Sequence, residues 1–75
     1  MNHKKWSFWI DRGGTFTDIV ARSPNSKIIV KKFLSQNHKI YNDAASYGIL
    51  NILSENNHLK NNISSIVDEI KMGTT

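Results

Sequence analysis

Three runs of β-forming residues are crowded into residues 5–34, with only the short breaks "RGG" and "SPNS" between them. Breaks that short cannot carry a crossover, because parallel neighbours need a dozen or more connecting residues. The runs must therefore fold back on one another as antiparallel hairpins. The first strand is Lys5 to Asp11, "KWSFWID", with Trp6, Phe8 and Ile10 on one face. Trp9 makes the other face apolar too, which predicts a strand covered on both sides. Gly13-Gly14 breaks the pattern, and Thr15 to Arg22, "TFTDIVAR", is a second strand rich in β-formers. Ser23 to Ser26 is a turn in which Pro24 fixes φ and Asn25 and the serines bond locally. Lys27 to Leu34, "KIIVKKFL", completes a three-stranded antiparallel meander.

After Ser35 the period changes. From Ile40 to about Glu55, apolar or small residues fall at Tyr41, Ala44, Ala45, Gly48, Ile49 and Ile52. That three-and-four spacing predicts a helix lying on the meander, with Asn37 as its N-cap. Gly48 costs a helix interior roughly 1 kcal/mol relative to Ala, so its presence predicts a close approach to the sheet. Glu55 to Asn62 is a polar loop. Ile66, Val67 and Ile70 to Met72 then predict a fourth strand, followed by a glycine turn at Gly73-Thr74-Thr75. The resulting β-β-β-α-β order, an α/β class with the helix and strands segregated, lacks a closing helix. It is expected to be the beginning of a larger domain spanning 1–75 in this chain.

A 75-residue chain is one small domain at most. At that size only about 60% of the unfolded chain's surface is buried, and small domains generally need disulfides, metals or partners. Cysteine is absent, which removes disulfides and thiolate metal sites together, and His3, His38 and His58 lack metal-ligand spacing. A partner, or a missing remainder of the chain, is the expected source of extra stability. Ten Lys and Arg against six Asp and Glu give a formal net charge of +4. The basic residues are scattered in pairs, Lys4-Lys5 and Lys31-Lys32, rather than drawn into one stripe, so a nucleic-acid partner is not expected. A small basic binding module remains the alternative of another class. No stretch approaches the roughly 20 apolar residues of a membrane span, and the expected location is the cytoplasm.

The chemistry is concentrated in "DRGGTFTDI", Asp11 to Ile19. Glycines let backbone N–H groups approach an anion without an intervening Cβ. Thr15 and Thr17 carry hydroxyls that can donate to phosphate oxygens. Asp11, at the end of a strand, is placed to hold Mg²⁺ or its waters, since magnesium takes a carboxylate together with water and phosphate oxygens. The alternative is that Gly13-Gly14 only makes the hairpin and that Asp11 and Thr15 satisfy its backbone. The ordered string strand–D-x-G-G-T-x-T-D–strand favours the phosphate site. Neither a P-loop nor a Rossmann turn fits, because these glycines lead into a strand rather than a helix.

"FWIDRGGTFTDIVAR" resembles the N-terminal signature of the 5-oxoprolinase and hydantoinase A family, and "LSQN", "YNDAASYGI" and "IKMGTT" continue the resemblance in order. It covers nearly the whole chain, Trp6 to Thr75. It implies ATP-dependent enzymes with the actin/Hsp70/sugar-kinase fold, in which the first hairpin grips nucleotide phosphates. On that pattern Asp11 is the metal-proximal carboxylate, Gly13, Gly14 and Thr15 are the phosphate cradle, and Thr17 and Asp18 support it. Gly73, Thr74 and Thr75 match a second glycine-threonine turn. Arg12 in "WIDRGG" resembles 5-oxoprolinases more than hydantoinase A proteins, which carry a small residue there. A hydantoinase A or acetone-carboxylase-like subunit is the alternative within the family. His38 departs from the family's frequent proline. The implied reaction consumes ATP, with Mg²⁺, to open 5-oxo-L-proline to glutamate, in chains much longer than this one. The 75 residues are therefore expected to be inactive alone and to need the remainder of a split 5-oxoprolinase as partner.

Overall fold

A computed structural model of the chain describes residues 5–56 and 63–74. Strands β1 (Trp6–Arg12), β2 (Phe16–Arg22) and β3 (Ile28–Leu34) form the expected antiparallel meander. Helix α1 (Ala44–Glu55) follows, then the four-residue α2 (Ile63–Ile66) and strand β4 (Val67–Thr74). β4 pairs parallel to β1, so the sheet is mixed, in the order β3-β2-β1-β4. The antiparallel pairs need only tight turns. β4 runs parallel to β1 and reaches it from the far edge strand, a crossover long enough to carry α1.

The core lies between α1 and one face of the sheet. Trp6, Phe8 and Ile10 of β1, Ile19 and Ala21 of β2, and Ala45, Ile49, Ile52 and Leu53 of α1 are buried together. Ile29, Phe33, Ile66 and Val67 pack at the margin. Trp6 and Phe8 stack with ring centroids 5.9 Å apart. Gly48 meets the sheet as its sequence context demands. A Cβ there would lie 2.1 Å from Ile19 Cδ1 and 2.9 Å from Phe33 Cε2. Lys31 Nζ, 2.7 Å from Glu55 Oε1, ties the end of α1 to β3.

Four expectations need correction. The helix starts at Ala44 rather than Ile40, and its N-cap is Asp43, whose carboxylate accepts the Ser46 N–H at 3.1 Å. Asn37 instead accepts the N–H groups of Ile40 and Tyr41 through its carbonyl, at 3.0 and 2.9 Å, closing a turn ahead of the helix. Tyr41 therefore lies off the helix and donates its hydroxyl to Leu34 O at 2.6 Å. Second, Ile66 ends α2 and β4 begins at Val67, taking in Asp68 and Glu69. An edge strand with solvent on one side accommodates such charges. Third, Gly73 and Thr74 are extended strand rather than turn, because Asp11 and Arg12 of β1 lie opposite them in the ladder. Thr75, with loop residues 57–62, lies outside the described residues. Fourth, among the described residues no element covers the sheet face opposite α1. Trp9 on that face is half-buried under the Arg22 guanidinium, 5.6 Å from its ring.

Large apolar side chains consequently remain exposed on both sides of the sheet. Ile70 and Met72 of β4 share the α1 face, while Phe16, Ile28, Val30 and Leu34 lie on the opposite face.

Candidate functional site

The end of the sheet where β1 and β4 finish gathers most of the residues singled out in the sequence. Being parallel, the two strands present their carboxyl ends side by side, the place where open α/β sheets bind ligands. Asp11 is flanked across the ladder by Asp18 of β2 on one side and Gly73 of β4 on the other. All three project on the face opposite α1, and together with Trp9, Val20 and Lys71 they line an open cleft of about 400 Å³. Like charges directly opposite each other destabilise an antiparallel pair, so Asp11 and Asp18 favour a cation between them. Lys32 Nζ answers part of that demand, 3.0 Å from Asp18 Oδ1. Lys71 is engaged with Glu69 at 3.5 Å.

Gly13, Gly14 and Thr15 form the hairpin tip beyond Asp11. Gly13 donates its N–H to Phe16 O at 2.9 Å, which closes the turn. Among the described residues the N–H groups of Gly14 and Thr15 take no backbone partner. No glycine in the chain has a positive φ. A Cβ added at Gly14 or Gly73 would meet nothing within 4 Å. Neither backbone conformation nor packing within the described residues thus requires glycine at these two positions. What remains is access: glycine leaves the backbone open to a group from outside.

Thr17 has a different setting from the one its sequence position suggests. It is fully buried on the α1 face and bonds Ser35 Oγ at 2.9 Å. Ser35 in turn donates its hydroxyl proton to Gly13 O at 2.6 Å. A hydroxyl has one proton, so Thr17 must be the donor to Ser35. The Thr17 hydroxyl is therefore turned inward and does not donate to a phosphate at the tip. Ser35 was not singled out in the sequence. It sits one residue past β3, and only the register of β3 on β2 brings it under the turn.

Arg12 reaches the helix cap: its Nη1 lies 3.7 Å from Asp43 Oδ1. The Asp43 carboxyl is held below its usual range, first by the Ser46 hydroxyl, then by the Ser46 N–H, with a smaller contribution from Arg12. Among the described residues no group of three or more His, Cys, Asp or Glu could hold a metal. The site can supply two carboxylates and open backbone donors. That suits a hydrated Mg²⁺ carried in on phosphates, which needs only one or two protein carboxylates. It does not suit a cation held by protein alone.

Residues 7–75 match the hydantoinase/oxoprolinase N-terminal region. The 5-oxoprolinase of Dictyostelium discoideum is 43% identical over 77 aligned residues, covering 96% of this chain. The 5-oxoprolinase 1 of Arabidopsis thaliana is also 43% identical over 77, covering 95% of this chain. In each case the chain spans about 6% of the relative's own length. No solved structure matches. The family match over nearly all of the sequence, and the identity to both relatives, establish that the chain belongs to the hydantoinase/oxoprolinase family as a stretch of its N-terminal region.

Proposed function

We propose that this chain supplies the first phosphate-binding wall of an ATP-dependent 5-oxoprolinase-like enzyme, and that it acts only together with the rest of such an enzyme. The observation that carries the reading is the open glycine backbone at Gly14, in the tip beyond Asp11, and at Gly73, beside Asp11 in the ladder, with no need for glycine at either place among the described residues. On this reading the sheet is the start of an actin/Hsp70/sugar-kinase-like lobe. Gly14 and Thr15 offer N–H donors to phosphate oxygens, joined by the exposed Thr15 hydroxyl. Asp11 faces the metal or its waters, and Asp18, neutralised in part by Lys32, supports it. Gly73 keeps the neighbouring strand low enough for the ligand to pass, and Thr74 follows at the same strand end, with Thr75 next in sequence.

Bound Mg-ATP would supply the activated phosphoryl group that makes the stable lactam of 5-oxoproline susceptible to opening. This chain's own residues bind and orient. Phosphoryl transfer depends on positioning and charge stabilisation from all sides, and one hairpin leaves the ligand open to water. The apolar residues exposed on both sheet faces support a partner: the remainder of a 5-oxoprolinase-like polypeptide. Against a nucleic-acid-binding module, Arg12, Lys31, Lys32 and Lys71 each face a carboxylate rather than forming a basic surface.

The test is a chimera in which this chain replaces the matching N-terminal stretch of the D. discoideum 5-oxoprolinase. The chimera should retain ATP-dependent opening of 5-oxoproline, and Asp11→Asn within it should abolish that activity. A folded but inactive chimera, or an Asp11→Asn chimera as active as its parent, would reject the proposal.

A further inference from the structure

A glycine-rich hairpin tip is conformationally loose unless something holds it, and a phosphate cradle works only when its donors are pre-set. In this fold the hold comes from one residue outside the hairpin. Ser35, just past the end of β3, touches the tip twice. Its N–H donates to Thr15 O at 2.8 Å and its hydroxyl to Gly13 O at 2.6 Å. The two carbonyls on either side of Gly14 are thus both anchored to Ser35, which is itself only 4% exposed. Behind it, fully buried Thr17 donates to Ser35 Oγ at 2.9 Å. That bond leaves the Ser35 proton a single direction, toward Gly13 O.

We infer that Ser35 is the positioning residue of the glycine tip, and that Thr17 sets the Ser35 hydroxyl through a buried Thr17–Ser35–Gly13 relay. The inference builds on the phosphate-site reading and adds residues that do not touch the ligand. The relay holds the carbonyls of Gly13 and Thr15 back against the end of the sheet. The Gly14 and Thr15 N–H groups are left without partners among the described residues, available to an anion. Alternative uses for two buried hydroxyls are met less well. Thr17 and Ser35 face the apolar side of the sheet, where a valine and an alanine would fill the space without polar atoms to satisfy. Buried hydroxyls are costly unless bonded, and here their bonding runs to the tip backbone.

The experiment uses the 75-residue chain and NMR, with two readouts: amide hydrogen exchange at Gly13, and the shifts of Gly14 and Thr15 on titration with Mg-ATP. Ser35→Ala should raise Gly13 exchange several-fold to about tenfold, the worth of one buried hydrogen bond, with Ile19 and Ala21 much less affected. It should weaken the Mg-ATP response by a similar factor. Ser35→Thr keeps the hydroxyl and should restore both. Thr17→Val, which removes only the back of the relay, should give the same pattern at smaller size and decides the matter if Ser35→Ala does not fold. Unchanged Gly13 exchange, a rise shared equally by every strand, or no rescue by Ser35→Thr would overturn the inference. A parent chain that shows no Mg-ATP response would reject the phosphate-site reading separately, with the exchange arm still deciding whether the relay holds the tip.

Discussion

Gly48 is the point where α1 comes nearest the sheet, and its replacement by alanine sets two known effects against each other. Alanine improves an internal helix position by about 1 kcal/mol. Its Cβ, however, would lie 2.1 Å from Ile19 Cδ1 and 2.9 Å from Phe33 Cε2. The Phe33 ring, edge-on to Tyr47 at 5.6 Å, stands at the margin of the core and can swing outward. Ile19 is fully buried and has little room to yield. Overpacking of that kind costs about 1–3 kcal/mol, so Gly48→Ala should be neutral to about 2 kcal/mol destabilising. Ile19→Val removes the atom in the way. By itself it should cost about 0.5–1.5 kcal/mol. In the Gly48→Ala background that cost should vanish, because the deleted methyl is the one that clashes. Urea denaturation of the parent, both single variants and the double variant would give a favourable coupling of about 1 kcal/mol or more, within the range for residues in contact. Additive effects, with Gly48→Ala stabilising by its full helix propensity, would refute the close helix–sheet approach.

Asp43→Ala should cost about 1 kcal/mol at neutral pH, as loss of an N-cap does, seen as a lower thermal midpoint. Its carboxyl is held below the usual value of 3.8, so its stabilisation is present above that value and fades as pH falls through the lower folded value. The gap between parent and Asp43→Ala should therefore narrow in acid, whereas a gap independent of pH below 4 would count against the charged cap. Ser26 is a non-glycine residue with φ of 69° in the turn closed by its N–H to Ser23 O at 2.9 Å. Ser26→Gly should relieve roughly 1 kcal/mol of left-handed strain, offset in part by the added freedom of the unfolded chain, and raise the urea midpoint slightly. Gly14→Ala should leave stability nearly unchanged, since its Cβ meets open space, yet weaken Mg-ATP binding in a titration. Equal loss of both would point to a folding role for that glycine.

The meander was legible because its breaks are too short for anything but hairpins. The helix was legible from its apolar spacing, although its start was misplaced. Asn37 and Asp43 are both good caps in isolation, and Tyr41 falls on the helical period by coincidence. The choice is made by Tyr41 bonding to Leu34 O, a contact that depends on where β3 ends. Gly73-Thr74 read as a turn because glycine and threonine crowd there, but their conformation follows from pairing with Asp11 and Arg12 some sixty residues away. The candidate site was visible at Asp11, Gly13, Gly14 and Thr15, which are local. The neighbours on either side of Asp11 were not legible as neighbours, since they come from strand order and register. Ser35 lay within the quoted "LSQN" stretch but carried no sign of its role, because its contact with the tip comes from the register of β3 on β2. The inward turn of Thr17 follows from period two in β2, which puts it on the face of Ile19 and Ala21, and could have been read from that alternation.

On the proposed function, Asp11, the Gly13–Thr15 tip and the end of β4 converge on one metal-bearing phosphate ligand. Paramagnetic Mn²⁺ in place of Mg²⁺, added with ATP to the ¹⁵N-labelled chain, tests it directly, because broadening reports which amides lie near the metal. Binding should be weak, with broadening centred on Asp11, Gly14, Thr15, Asp18 and Gly73 and abolished by Asp11→Asn. Broadening centred instead on Ser23 to Lys27 at the opposite end of the sheet, or spread evenly over the lysines, would contradict it.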